Sequence, residues 1–416
     1  MFDAFSSALS ALNADSDAIK IVGNNLANLN TTGYKADDVQ FYDLISQQLG
    51  GTSAANSVGT GVSPAQSSKV FTQGSIQQTN GPLDAAISGD GFFVVRDSVG
   101  ETLYTRAGNF SLAADGTLET ATGEKVQGWM ATNNGAVNLS APVGNIVVPV
   151  NGVVPATATA NVSVTANLDA RPAVGDPSAS FSSPVTVIDS QGTSHVLTFA
   201  FTKTGVNTWS YTVTIPAADL TATGTPQIAT GSLTFGPTGQ LTSPASTAGP
   251  ITLNIANLAD GASNMAVNWN LYNGTQSLVT QFAQNSGVAA TSQDGFPAGQ
   301  IAKIAMSDNG VLLATYSNGQ QSPVAQLALA TIRNPETMLS VGNNNLIATV
   351  DTAAPAVGSP ASGGRGRVTG GSLETSTVDV ATEFTNLMSF QRSYEANSKV
   401  ITTTDQMLQD LINLKQ

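Results

Sequence analysis

The fold class this chain of 416 residues predicts is mainly β with paired terminal α-helices, its β domains nested on a coiled-coil-like helical stem. Three observations lead there. Apolar residues recur at spacings of three and four from Phe2 to Leu26. They recur every seven residues from Val380 to Leu408, in a segment free of Gly and Pro from Val378 onward. Between these ends lie short alternating runs broken by Gly, Asn-Gly and Asp-Gly, the texture of strands and tight turns.

The N-terminal stripe consists of Phe2, Phe5, Leu9, Leu12, Ile19 and Leu26, with Ser16 and Gly23 occupying two intermediate positions. Such narrow spacing describes a helix seam. Taken to Leu29, the helix would be roughly 42 Å long at about 1.5 Å per residue. The C-terminal stripe runs through Val380, Leu387, Tyr394, Ile401 and Leu408, flanked by Phe384, Phe390 and Leu411. A seven-residue period gives a left-handed supercoil. Ser376-Thr377-Val378-Asp379 suits the helix start, a small polar cap followed by an acid in the first turn.

Residues 46–70 are polar and rich in Gly and Ser, and read as a linker or extended arm. Residues 351–371 have the same look. From Phe71 to Ile347 the pattern is β. The clearest hairpin is HVLTFAFTKTGVNTWSYTVTI, with Leu197, Phe199 and Phe201 on one face and Trp209, Tyr211, Val213 and Ile215 on the returning strand. One hairpin spacing occurs three times, at Phe110/Leu112/Gly116/Leu118, Leu233/Phe235/Gly239/Leu241 and Ile304/Met306/Gly310/Leu312. If the two end seams pair, the chain must leave the helical region and return to it. The β domains are then nested. We expect a terminal helical domain at 1–45 plus 372–416, an inner β domain at 71–145 plus 285–350, and an inserted outer β domain at 146–284.

Composition excludes several functions. Charged residues are only 10% of the chain and the net charge is −13, with 15 Lys plus Arg in all. No basic stripe is available for nucleic acid. There is no cysteine, hence no disulfide or thiolate site. No run is long and apolar enough to span a membrane. MFDAFSSALSAL carries Asp3 where a secretory signal would be basic, so no cleavable signal peptide is expected.

No active site is legible. His195 is the sole histidine and reads as a surface or half-buried strand residue, so neither a zinc site nor a Ser-His-Asp triad is expected. Gly89-Asp90-Gly91 precedes a strand instead of following one, so it is a turn and no phosphate cradle. No catalytic residue, cofactor or metal ligand is assigned. The seams remain. A two-helix unit is marginal alone, and both stripes sit at chain ends bounded by Gly/Ser-rich segments. Such ends gain most by packing on other copies of the chain, and polymerisation is the expected outcome.

The stretch NNLANLNTTGYK, which interrupts the first helix, resembles the signature of flagellar axial proteins, the rod and hook family. So do FTQGSIQQTNGPLDAAISGDGFFVV, YTRAGNF and GGSLETSTVDVATEFTNLMSFQRSYEANSKVITTTDQML. These phrases cover both ends and much of the inner β domain. Short rod-type members have no room for residues 146–284, and DGFPAGQIAKIAMSDNGVLLATYSNGQ resembles the hook-type return through the inner domain. The VGTGV of the 46–70 arm also resembles the distal rod type. The resemblance implies a structural, non-enzymatic subunit whose terminal helices line a tube and whose β domains form outer shells. It implies a short curved polymer acting as a flexible universal joint that passes torque from rod to filament. Implied partners are copies of itself, the distal rod protein, the hook cap, the hook–filament junction protein and the flagellar type III export apparatus, which would place it extracellularly without a signal peptide. The same likeness assigns Asn24, Asn25, Asn28, Gly33 and Tyr34 to a turn that ends the helix and sends the chain outward, with Asn28 and Asn30 capping or left-handed. Other readings are a distal rod or different axial subunit, and a secreted β-rich adhesin, which would leave the terminal heptads unexplained.

Overall fold

The computed structural model describes residues 2–44, 47–48, 57–58, 61–132, 135–149 and 152–413. The fold is mainly β, with one long helix near each end: α1, Phe2–Ala27, and α2, Val380–Asn413. The chain divides into two compact units, the first formed by residues 1–150, 303–314 and 321–416, the second by 151–302 and 315–320.

In the first unit α1 and α2 pack on one another. α2 begins on a true cap: Asp379 Oδ1 accepts the Thr382 N–H at 2.7 Å, and the Asp379 carbonyl accepts from Glu383. The acid is thus the cap itself, three residues beyond the Ser376 the sequence suggested. The β part is built around the strand Phe92–Arg96, which pairs antiparallel with Thr102–Thr105, Lys125–Met130 and Leu329–Thr331. Phe92, Val94, Tyr104, Trp129, Ala330 and Leu346 form part of its core. Phe93 meets Phe110 edge-on at 5.1 Å.

Residues 351–371 differ from the expected linker. Ala356–Gly358 pairs with Leu329–Thr331, and Arg367–Gly370 pairs with Ala85–Ser88. Strand pairing uses backbone groups, so a stretch of small side chains can join a sheet without any apolar pattern. Of the 46–70 arm, much lies outside the described residues. Its last part, Gln66–Lys69, returns as a strand against Asp37–Gln40.

The second unit holds two five-stranded sheets. One is a meander of Ser180–Ile188, Ser194–Gly205, Thr208–Thr214, Gln227–Phe235 and Leu241–Ser243. The other centres on Asn161–Asp169, flanked by Met265–Asn270, Val279–Phe282 and Gly287–Gln293. Residues 287–293 therefore belong with this unit, whereas the sequence reading begins the inner domain at 285; an alternating run does not reveal which sheet it joins. The inward-facing residues of both sheets make one core. Leu197, Phe199, Phe201, Trp209, Tyr211, Val213 and Ile215 are all in it, as the hairpin pattern predicts. Trp269 is at its centre, edge-on to Phe199 at 5.0 Å and Tyr211 at 5.2 Å. The repeated hairpin spacing also has a physical basis: Gly116, Gly239 and Gly310 all adopt positive φ, at 84°, 74° and 67°. His195 is buried, in contrast to the exposed or half-buried strand residue expected.

Candidate functional site

The two helices are antiparallel. Asn25 near the end of α1 bonds Glu383 near the start of α2, at 3.0 Å, and Asp15 accepts from Asn397 at 3.0 Å. Asp15 and Asn25 therefore mark the face of α1 that meets α2. Their stripe is Ala8, Asp15, Ala18, Val22 and Asn25, all buried, and it keeps heptad spacing. Its side chains are small, which lets the two helices approach closely.

The large apolar residues predicted as the seam occupy a different stripe. Leu9, Ile19 and Leu26 each lie one position beyond a buried residue, a rotation of about 100° on a helix of 3.6 residues per turn. Leu9 is 43% exposed, while Phe5, Leu12, Ile19 and Leu26 are half-buried. The side chain of Phe2 is outside the described residues. On α2, Leu387, Ile401 and Leu408 are half-buried, but Val380, Tyr394 and Phe384 are exposed, Phe384 at 52%. Met388, Val400 and Met407 are exposed as well. The intramolecular pairing thus rests largely on small and polar residues and leaves a second apolar surface uncovered.

Two buried carboxylates lie in this pairing, and among the described residues no cation is bonded to either. Burial raises the Asp15 carboxyl above its usual value, opposed by the Asn397 bond. Burial likewise raises Glu383, with the Asn25 bond opposing and the nearby Asp38 and Asp379 charges adding to the rise. A raised folded-state value means that the paired helices hold protons which the separated helices release. Their stability is then greatest in acid, and it falls as pH climbs from the ordinary carboxylate value through the raised one. We expect the amide protection factors of residues 8–27 to decrease over that interval. Asp15→Asn combined with Glu383→Gln, which keeps both acceptors, should remove the pH dependence and raise protection at neutral pH; an unchanged profile would place the effect elsewhere.

The turn after α1 is a hydrogen-bonded unit. Asn25 is fully buried; its Nδ2 donates to the Asp37 carbonyl at 2.7 Å and to Glu383, and its Oδ1 accepts the Asp37 N–H at 2.9 Å. Asn24 Nδ2 donates to the Tyr34 hydroxyl at 3.2 Å. Tyr34 is buried, and burial together with the Asp37 carboxylate pushes its phenol well above the usual range. Asn28 ends the helix through its side chain, donating to the Asn24 carbonyl at 2.9 Å. Neither Asn28 nor Asn30 is left-handed. That conformation falls to Gly33, at φ +67°, where a Cβ would stand 2.5 Å from the Arg106 carbonyl carbon.

One constellation was invisible to pattern reading. Glu374, with no exposed surface, receives Lys35 Nζ at 2.7 Å and Arg106 Nη1 at 3.1 Å, and its Oε1 also accepts the Gly74 N–H at 2.8 Å. Lys35 and Arg106 side chains are only 4% and 6% exposed. Burial pulls the Lys35 ammonium below its usual value, and the Glu374 bond opposes that shift. The Gly33 N–H donates to the Glu374 carbonyl at 2.8 Å. GYK, YTRAGNF and SLET, far apart in sequence, converge here. The available signal was their charge: in a chain with so few ions, each phrase keeps one.

Comparison with known proteins covers the same ground. Family models match residues 5–35 (flagella basal body rod protein), 86–167 (flagellar hook protein FlgE/F/G D1 domain), 157–296 (flagellar basal body protein FlaE D2 domain) and 369–414 (flagellar basal body rod FlgEFG protein C-terminal). The chain is 33% identical to the flagellar hook protein FlgE of Borreliella burgdorferi, with 98% of each chain covered. It is 33% identical to that of Escherichia coli strain K12, covering 99% of this chain and all of the relative, and 32% identical to that of Salmonella typhimurium over the same shares. Among solved structures, Helicobacter pylori flagellar hook protein FlgE2 shares the fold at a TM-score of 0.50 and 14% identity, covering 70% of this chain and 99% of that one. With relatives matched over almost their full length, and both terminal segments and the insert recognised, the chain belongs to the flagellar hook protein FlgE family, structural and non-enzymatic members of the rod and hook proteins.

Proposed function

We propose that this protein polymerises through the outer apolar stripes of its terminal helices into a short curved tube, a universal joint that passes torque from rod to filament. The observation behind this reading is the double character of the helix pair. A small-residue face is already used within the chain, and a large-residue face, including Leu9, Val380, Phe384 and Tyr394, is left exposed. Apolar burial contributes about 25 cal/mol per Å², so copies that cover this surface gain most of what the isolated pair lacks. The terminal helices line the tube, and the β domains form the shells outside it.

A hook that rotates while bent must let each row of subunits lengthen and shorten once per turn. A surface poor in ions suits this, since hydroxyl and amide contacts exchange partners at low cost. The partners are other copies of the chain, the distal rod protein, the hook cap and the hook–filament junction protein. Export runs through the flagellar type III apparatus to the cell exterior.

Electron microscopy of the assembled protein tests the reading: short curved tubes are expected, whereas straight rods would favour a distal rod role. Removing residues 157–296, whose two ends pair at Thr157 and Phe296, should give straight or stiffened tubes. An unchanged supercoil in that variant would exclude sliding between the outer surfaces as the basis of curvature.

A further inference from the structure

The buried His195 lies in the second unit where three turns meet. It follows the turn after Ser180–Ile188, and the turn holding Asp219 and the loop holding Asp260 close over it. Its Nδ1 is 3.1 Å from Asp219 Oδ2. Its Nε2 faces two other carboxylates, Asp189 Oδ2 at 3.1 Å and Asp260 Oδ2 at 3.5 Å. Each of these two acids has its second oxygen fixed by its own turn. Asp189 Oδ1 accepts the N–H groups of Gln191 and Thr193, at 2.7 and 2.9 Å, and Asp260 Oδ1 accepts that of Ala262 at 3.0 Å. The two Oδ2 atoms are held toward Nε2 as a result.

This arrangement has the dimensions of a metal site. Tetrahedral ligands bonded at about 2.0–2.1 Å stand about 3.3–3.4 Å apart, and the distances from Nε2 fall on either side of that value. The three donor atoms lie within 4.8 Å of one another. Asp219 supplies what a metal-bound histidine ordinarily has, a carboxylate on the opposite ring nitrogen that fixes the tautomer and leaves Nε2 its lone pair. The carboxylate oxygens of Asp189 and Asp260 that face Nε2 also lie within 4.8 Å of each other. A cation beside Nε2 would balance both carboxylates, and Asp189 has no exposed surface through which solvent could screen its charge.

We propose that Asp189, His195 and Asp260 form a site for a divalent transition metal of the zinc class, with Asp219 as the positioning residue. The two ligand carboxylates balance the ion's charge. Asp260 is one quarter exposed and leaves the fourth position open to water. The imidazole donor selects against Ca²⁺ and Mg²⁺, which take oxygen ligands. Because Asp189 and His195 belong to the meander sheet and Asp260 follows Ile251–Ile255 of the other sheet, a bound ion staples the two sheets at one end. Its role is structural and independent of the assembly reading.

The test is titration of the full chain, first stripped with a chelator, with Zn²⁺ by calorimetry and with Co²⁺ by visible absorption. One equivalent should bind, Co²⁺ should give the intense bands of a tetrahedral site, and Zn²⁺ should raise the unfolding midpoint seen by tryptophan fluorescence. Asp219→Asn is expected to weaken binding about 10- to 100-fold, and Asp260→Asn by at least as much. Asp260 is part-exposed, so its variant should fold, which an unchanged tryptophan spectrum verifies. Ca²⁺ and Mg²⁺ should have no comparable effect. Absence of stoichiometric binding, or equal affinity in folded Asp260→Asn, would overturn the site.

Discussion

Replacing Glu374 by glutamine is expected to destabilise the first unit by roughly 3–5 kcal/mol, the usual cost of removing one partner from a buried ion pair. Its carboxylate is the shared counter-charge of Lys35 and Arg106, both almost wholly buried. The amide of glutamine could still accept one bond, but it carries no charge, so two cations would remain in a low-dielectric site. Lys35 could shed its proton, since burial already draws its ammonium downward. Arg106 cannot, and its guanidinium also holds the Gly89 carbonyl at 2.9 Å and lies over the Phe92 ring. Damage should therefore spread to the strand that starts at Phe92. Denaturant unfolding of the full chain checks this: the transition of the first unit should move to lower denaturant while that of the second stays in place. A shift below about 1 kcal/mol would mean that water reaches the site and screens it.

The same cluster shows where sequence reading stops. Lys35, Arg106 and Glu374 are separated by 71 and 268 positions, and no periodicity links them; only the folded path of the chain brings them together. The hairpin at 195–215 was legible because alternation alone decides which side chains face inward, and all seven predicted core residues are in the core. The two terminal helices were legible, but the face by which they pair within the chain was not. Large apolar residues draw attention to Leu9, Leu12 and Ile19, whereas the face that meets α2 is Ala8, Asp15, Ala18, Val22 and Asn25. That stripe has the same heptad spacing, yet alanine is common on every face of this helix, and Asp15 and Asn25 look like surface residues until their partners Asn397 and Glu383 are known. Residues 351–371 were missed for a related reason. Their strands are held by backbone bonds, which leave no trace in side-chain pattern.

That separation of faces permits a sharp test of assembly. Leu9→Gln with Phe384→Gln alters two side chains that are 43% and 52% exposed in the single chain. Exposed substitutions away from caps and networks change stability by about 0.5 kcal/mol or less, so the monomer should unfold as before, with α1 and α2 still paired through Asp15 and Asn25. Deleting residues 1–30 would be a blunter experiment, because it also removes Asn25 and Asp15 from their partners on α2. If copies of the chain cover the outer stripes, each substitution gives up about half the value of burying a large apolar side chain, roughly 1–1.5 kcal/mol. Together they should raise the critical concentration for polymerisation about 30- to 150-fold, read by sedimentation of polymer against free subunit. A matched change on the inner face, Val22→Ala, should act in the opposite sense, lowering monomer helix protection with a smaller effect on polymer contacts. If the outer pair of substitutions leaves the critical concentration unchanged, the exposed stripe is ordinary surface and the tube must be held by the β units instead.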